Sequence, residues 1–428
     1  MSYPVRPVSQ IARSVSITHK KTKPELIFLN TSDIERGQFL HRNYTDPRSW
    51  PGQAKKSIAE GDTLFSEIRP GNGRWAFVDF DAEDYVVSTK LMVIRVDHSV
   101  VVPKFFYLWV SSPNVVDRLQ SLAESRSGTF PQITFDDLGF LDFPTPDLTT
   151  QLGIVNSVAA IDDKIALNRK TAATLEAMAR ALYQSWFVNF DPVHAKAEGR
   201  ALGHMPAETA ALFPDRFGDD GLPEGWFVEP LIDQALWVNG AAYKNMHFSS
   251  DPDALPVIKI AELKAGITSS TKFTTTDLGE RFRISRGELL FSWSGNPDTS
   301  IDAFIWPLSE AWLNQHIFAV REKGRMSRGA LFCALRFYKP ELVEIARNKQ
   351  TIGLGHITRK DLESFPVAMP PEPVEAAFEA QVSPLFERYC ACLYENQTLA
   401  ALRDTLLPRL MSGELRVGEA REQVEAVA

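Results

Sequence analysis

"SGTFPQITFDDLGFLDFPTP", residues 127–146, returns in outline at 351–370 as "TIGLGHITRKDLESFPVAMP". At a shift of 224, Ile133, Thr134, Asp137, Leu138 and Pro146 fall on Ile357, Thr358, Asp361, Leu362 and Pro370. A Gly stands just upstream in both stretches, offset by one place (Gly128, Gly353).

The echo extends outward. "IAEGDTLFS" (58–66) matches "ISRGELLFS" (284–292) at a shift of 226, and reads as a Gly turn followed by a buried strand. "STKLMVIRV" (88–96) meets "NQHIFAVRE" (314–322) at the same shift. "TLEAMARALYQSWF" (174–187) meets "TLAALRDTLLPRLM" (398–411) at 224. One duplication, with a two-residue deletion between the second and third blocks, accounts for all four. The chain reads as two copies of a unit of about 190 residues, each a strand-rich domain followed by a long helix.

The helices carry the clearest periodicity. Ile154, Val158, Ile161, Ile165, Asn168, Ala172, Leu175, Ala179, Leu182 and Trp186 advance in steps of 4 and 3. Phe378, Val382, Leu385, Tyr389, Cys392, Asn396, Leu399, Arg403, Leu406 and Leu410 do the same. Such a seam predicts a coiled coil, whereas a helix packed only on its own domain shows a wider stripe of period 3.6. Each seam holds one Asn, a residue that fixes register at some cost in stability. Laid antiparallel with the ends matched, paired numbers sum to 564, so that Ile154 faces Leu410 and Asn168 faces Asn396. The expectation is an antiparallel pair with the Asn168 and Asn396 amides bonded to each other.

The fold class is therefore α+β, with two mixed α/β, strand-rich domains alternating with two long helices that pair as an antiparallel coiled coil in an internal pseudo-two-fold repeat. The expected divisions are a first domain (1–146), a first spacer helix (147–190), a Pro- and Gly-rich connector (191–224), a second domain (225–370), a second spacer helix (371–416) and an acidic tail (417–428). The connector is expected to travel back along the helix pair.

With 428 residues and 44% hydrophobic content the chain can bury two or three cores. No run of about 18 apolar residues suggests a membrane span, and "MSYPVRPVSQ" lacks the pattern of a secretion signal. Three cysteines, Cys333, Cys390 and Cys392, fit neither a disulfide framework nor a zinc site, so a cytoplasmic location is expected. The net charge of −8 gives no global sign of nucleic-acid binding. Locally, residues 321–360 hold ten Lys/Arg against three Glu, and residues 13–74 hold eleven against seven acids. Positive charge is thus concentrated in two matching regions.

Reaction machinery is hard to find. There is no phosphate loop, no dinucleotide fingerprint, no nucleophile elbow, no amino-methyltransferase N-P-P-[FY] or D-P-P-[FY] segment, and no metal-ligand spacing. One competitor is "PDALPVIKIAELK", where Asp253, Glu262 and Lys264 follow the order used by metal-dependent nucleases. The matching stretch of the first copy, "NTSDIERG", keeps Asp33 for Glu262 but has Glu35 for Lys264.

Recognition chemistry remains. In the first domain the side chains suited to base edges and phosphates are Lys20, Lys21, Lys23, Arg42, Asn43, Arg48, Arg69, Asn72, Arg74, Arg126, Ser127, Thr129 and Gln132, with Gly128 in their loop. In the second they are Tyr243, Lys244, Asn245, Lys272, Ser294, Asn296, Asn314, Gln315, His316, Arg325, Arg328, Gln350, Thr351 and His356, with Gly355. Arg forks onto guanine, Asn or Gln bonds adenine bidentately, and Lys neutralises phosphate. Ordinary polar surface accounts for any one of them; their clustering near "RPGNGRW" and "SWSGNPD" is what points to double-stranded DNA. A helix from 154 to 186 spans about 48 Å, and equivalent faces of a duplex recur about every 34 Å. Two unlike domains held so far apart can each read half of a split target.

The plan resembles the specificity subunit of type I restriction–modification systems. The residues that carry the likeness are "PEGW" (223–226), "ALYQSWFVNFDPVHAKAEGR" after the first helix and "LLPRLMSGELRV" after the second. The likeness covers nearly the whole chain, although no "PEGW" precedes the first domain, where "VRPVSQIARSV" substitutes. It implies that the two domains are target-recognition domains and that the chain is non-catalytic. It implies two methyltransferase subunits as partners, with restriction/translocase subunits in the full complex, and an asymmetric bipartite target. S-adenosylmethionine, ATP and Mg²⁺ are then expected only on the partners. By the same likeness, Ser127 to Ile133 and Thr351 to Ile357 match the family's Gly-containing loop and are expected near DNA. Leu167, Met178 and Tyr183, outside the seam, are candidates for partner docking. The alternatives are the nuclease above and a duplicated scaffold that holds protein or sugar.

Overall fold

A computed structural model describes residues 3–203, 205–350 and 353–425. The chain divides into two compact units, residues 1–164 with 399–428, and residues 165–398. The division runs through both long helices, so each unit owns a strand-rich domain and a stretch of each helix.

The two strand-rich domains have the same topology. In the first, the strands Ala12–Ser14, Leu91–Val96, Thr63–Ser66 and Trp75–Phe77 lie side by side in that order, antiparallel throughout. In the second, Ala235–Asn239, Ile317–Glu322, Leu289–Ser292 and Asp302–Ile305 repeat the arrangement. The central strands "TLFS" and "LLFS" are buried at every position, which is why they read as apolar runs and not as alternation. Each follows a Gly with positive φ, Gly61 (+88°) and Gly287 (+91°), whose N–H bonds Val78 and Trp306 respectively at 2.8 Å. Only Gly takes that conformation without strain, so the shared Gly of the repeat is a turn requirement.

A second sheet in each domain contains one parallel pairing, Leu26–Leu29 with Tyr85–Ser88 and Leu255–Ile258 with Ala311–Leu313. A two-stranded ribbon joins the start of each domain to its end. Val5–Pro7 pairs with Asp142–Pro144, and Phe227–Pro230 with Pro366–Met369. The front of the first domain, where "PEGW" is missing, thus keeps the pairing that follows "PEGW" in the second.

The long helices are Leu148–Phe187 and Glu372–Ser412. Of the twenty seam residues, fourteen are buried and the other six half-buried. Within the second unit Trp186 meets Phe378, ring centroids 5.5 Å apart, and Asn168 meets Glu395. Within the first unit Arg403 bonds Asp162 at 2.9 Å. These pairs sum to 564, 563 and 565, so the helices run antiparallel in the expected register.

The Asn pairing is different from expectation. The Asn168 amide donates to the Glu395 carboxylate at 2.9 Å, and Asn396 Oδ1 is buried with no hydrogen-bond partner. A carboxylate one position away is the stronger acceptor and takes the donor that a neutral amide would have received.

The connector is also more than a tether. It forms the short helices Asp191–Ala197 and Ala207–Ala211, and it places Val193, Met205 and Phe213 in the second unit's core. Trp226 of "PEGW" packs on Phe187, Phe190 and Phe213 at 5.7, 5.4 and 6.5 Å, so two stretches that looked like separate signatures build one aromatic cluster. Residues 417–425 of the expected acidic tail are a helix, Val417–Glu425, with Ala420 buried.

Candidate nucleic-acid interface

The repeated "IT..DL" builds the same local structure twice. Thr134 is the N-cap of the helix Phe135–Gly139, and Asp137 accepts from the Thr134 N–H (2.8 Å) and hydroxyl (3.0 Å). Thr358 caps Arg359–Ser364, with Asp361 accepting from its N–H (2.7 Å) and hydroxyl (2.6 Å). Both are reciprocal capping boxes. A cation from upstream completes each, Arg126 on Asp137 and Lys349 on Asp361. Burial works against charge on both carboxylates, but the Thr bonds and the Arg126 or Lys349 partner outweigh it, and both pKa values lie below the usual one.

The loop that leads into each cap is stitched to the segment after the central strand. In the first unit Ile133 N–H bonds Glu67 (2.9 Å), Arg69 N–H bonds Pro131 (3.0 Å), and Ile68 bridges Gln132. In the second unit Ile357 N–H bonds Trp293 (2.8 Å), and the pairs Ser294–His356 and Gly295–Gly355 form a short ribbon. These are the same bonds in repeat numbering. Among the described residues, the bonding of this loop is therefore repeated in both copies, with different side chains on each.

This stitching gathers part of the expected set. In the first unit it collects Arg69, Asn72, Arg126, Ser127, Gly128, Thr129 and Gln132; the turn Pro70–Asn72 is tied to the helix Pro113–Arg126 by Gly71 N–H to Gln120 (2.9 Å). Arg74 is nearby but donates to Ile34 O (3.0 Å) and faces Glu35 (3.7 Å). In the second unit it collects Ser294, Asn296, His316, Gly355 and His356, with Gln315 bonded to His316 at 3.2 Å. Gln350 is exposed just after the helix Lys339–Asn348. Thr351 lies outside the described residues.

Other expected residues lie elsewhere. Lys20, Lys21, Lys23, Arg42, Asn43 and Arg48 decorate the second sheet of the first unit. Lys23 is already paired with Glu83 (3.1 Å) and Asp84 (2.6 Å), and Arg48 with Asp46 of its own turn (2.6 Å). Lys21 sits over the Trp50 ring and Arg42 over Phe80. Lys244 and Asn245 are exposed on the turn Asn245–His247, and Lys272 is exposed on the strand edge.

Four residues are corrected by their surroundings. Tyr243 is only 7% exposed, packed on Trp312, and burial pushes its hydroxyl up to about 12. Asn314 is buried, its N–H bonded to Ile258. Arg325 is held by Glu375 and the Pro370 carbonyl, and Arg328 by the Gly287 carbonyl over the Phe386 ring. The last two are engaged by partners on or against the second helix, although Arg325 keeps part of its surface exposed. Among the docking candidates Leu167 and Met178 are exposed, whereas Tyr183 is fully inside the core.

The nuclease alternative finds no support. Glu262 is buried as a cap, accepting from the Lys259 N–H (3.0 Å) and the Thr271 hydroxyl (3.1 Å), and Lys264 is bonded to the Thr299 carbonyl. Asp253 is exposed on a turn.

Sequence reasoning missed Trp293, whose indole N–H bonds Asn239 (2.9 Å) beside the His316 ring, and the apolar loop residues Phe130 and Leu354. A search restricted to polar side chains passes over them. Alignment of the two loops at a shift of 224 places Phe130 on Leu354 and shows the signal.

A family signature described as "Type I restriction modification DNA specificity domain" matches residues 16–177. The type I restriction enzyme HindI specificity subunit of Haemophilus influenzae is 32% identical over 92% of this chain and 95% of its own length. The MjaIX specificity subunit of Methanocaldococcus jannaschii is 24% identical over 74% of this chain and 70% of its own. A solved HsdS subunit from Thermoanaerobacter tengcongensis is 19% identical with 97% of each chain covered and a TM-score of 0.42. With a relative this similar over almost its whole length, the chain belongs to the specificity subunits of type I restriction–modification systems, the non-catalytic subunits that recognise DNA.

Proposed function

We propose that each strand-rich domain reads one half of an asymmetric bipartite duplex target and that the stitched loops, Arg69 with Arg126–Gln132 and Ser294 with Gly355–His356, face the DNA. The observation that carries this reading is the repeated loop: its backbone bonds are the same in both units while its side chains differ. A conserved frame with unlike side chains is what two unlike half-sites require.

On this reading the helix pair sets the gap between the halves. Two methyltransferase subunits act where the chain places them, and restriction/translocase subunits join in the full complex. S-adenosylmethionine, ATP and Mg²⁺ belong to those partners, and the complex works in the cytoplasm. The tests are made on the complex with its methyltransferase subunits. Duplex affinity should fall steeply with salt, because phosphate contacts release counterions. Changing Arg69→Ala should make that log–log slope shallower by about one. A flat salt dependence would favour a protein-binding scaffold.

A further inference from the structure

Phe130 and Leu354 are 61% and 60% exposed and occupy the same position of the repeat. A lone exposed apolar side chain is ordinary on a protein surface. A pair of exposed apolar side chains at the same position of two repeated loops is not explained that way, because described residues on either copy tie the neighbouring backbone down. Phe130 N–H bonds the Ser127 hydroxyl (3.0 Å), and Pro131, next to it, is buried and bonded to Arg69. Leu354 stands between Gly353, at φ +79°, and Gly355, where a Cβ would lie 2.2 Å from the Ala346 carbonyl. Ile133 and Ile357, three positions on, are buried, so apolar contact was available close by and the tips do not take it.

We propose that Phe130 and Leu354 are specificity-determining residues, each making apolar contact with base edges in its own half-site, the thymine methyl being the apolar group that a major groove offers. The occupant is duplex DNA because donors flank both tips. Arg69 reaches the Thr129 carbonyl beside Phe130, and His356 lies two residues from Leu354. The two tips differ in size and shape, as two unlike half-sites need. This assignment rests on the DNA-reading function proposed above.

The test is to express the full chain with its methyltransferase subunits, as wild type, F130A and L354A, and to sequence the methylated bases in host DNA. The expected result is loss of base preference in one half of the target for F130A and in the other half for L354A, with the gap unchanged. Discrimination at the affected base pair should fall about tenfold. Because both side chains are mostly exposed, melting temperatures should match wild type; if one variant fails to fold, the other carries the test alone. Wild-type motifs at wild-type rates from the variants would overturn the tip assignment and leave DNA reading intact. A wild-type complex that methylates no split motif would instead sink the reading beneath it, and the tips with it.

Discussion

Asp62 accepts two hydrogen bonds from the Arg95 guanidinium, at 2.7 and 2.8 Å, with its carboxylate fully buried. The same relationship recurs 226 residues later, where Glu288 accepts from Arg321 at 3.0 Å. The copies differ in burial, since the Glu288 side chain is 20% exposed. Removing one partner of a buried pair strands the other charge, which costs about 3–5 kcal/mol. Arg95→Ala should therefore destabilise the first unit by about 3 kcal/mol or more, and Arg321→Ala should cost less because water reaches Glu288. Urea unfolding of the two variants checks the order; equal losses would contradict it.

The capping boxes set an acid limit. Asp137 and Asp361 both titrate below an ordinary carboxylate, so their contribution is complete above the unfolded value, about 3.9, and is lost as pH falls through the folded values. The urea midpoint should hold steady from about pH 6 to pH 5 and drop below about pH 4. In the double variant Asp137→Asn, Asp361→Asn that drop should be shallower, from a lower starting stability. Thr134→Ala and Thr358→Ala should each cost about 1 kcal/mol at neutral pH.

The two seam asparagines should behave oppositely. Asn168 has a made bond to Glu395, whereas Asn396 Oδ1 is buried and unpartnered. Asn168→Ala should destabilise by about 1 kcal/mol, and Asn396→Leu should be neutral or stabilising by up to about 1 kcal/mol. Thermal melts of the two single variants read this directly. A large loss for Asn396→Leu would mean that the amide has a partner after all.

Two glycines of the stitched loops differ in the space around them. A Cβ on Gly355 would collide with the Ala346 carbonyl, while one on Gly128 meets nothing within 4 Å. Gly355→Ala should displace the second loop and weaken duplex binding by the complex about tenfold or more, and Gly128→Ala should leave it within about twofold. Titration of labelled duplex gives both numbers.

The repeat, the antiparallel seam and its register were legible because each rests on spacing, and spacing survives in sequence. Ile154, Val158 and Ile161 are buried where steps of 4 and 3 put them. The choice among polar residues was much less legible. Tyr243 and Arg328 have the right chemistry for a groove, yet one is packed on Trp312 and the other over Phe386. Those partners lie 69 and 58 positions away, so no local pattern announces them. The Asn168–Glu395 bond was missed for a related reason: the register was right, but the seam residues alone omit the flanking carboxylate that outcompetes an amide. The repeated Thr134 and Thr358 were visible as an echo, but their role as caps that anchor the loops shows only in the bonds they make with Asp137 and Asp361.

The central claim is that the chain repeats itself because its target has two halves. It is tested most directly by sequencing methylated bases in host DNA from cells that express this chain with its methyltransferase subunits. The account predicts a single split motif with two unlike halves and a fixed gap, absent when this chain is omitted. A continuous motif, or methylation unchanged by its omission, would contradict it.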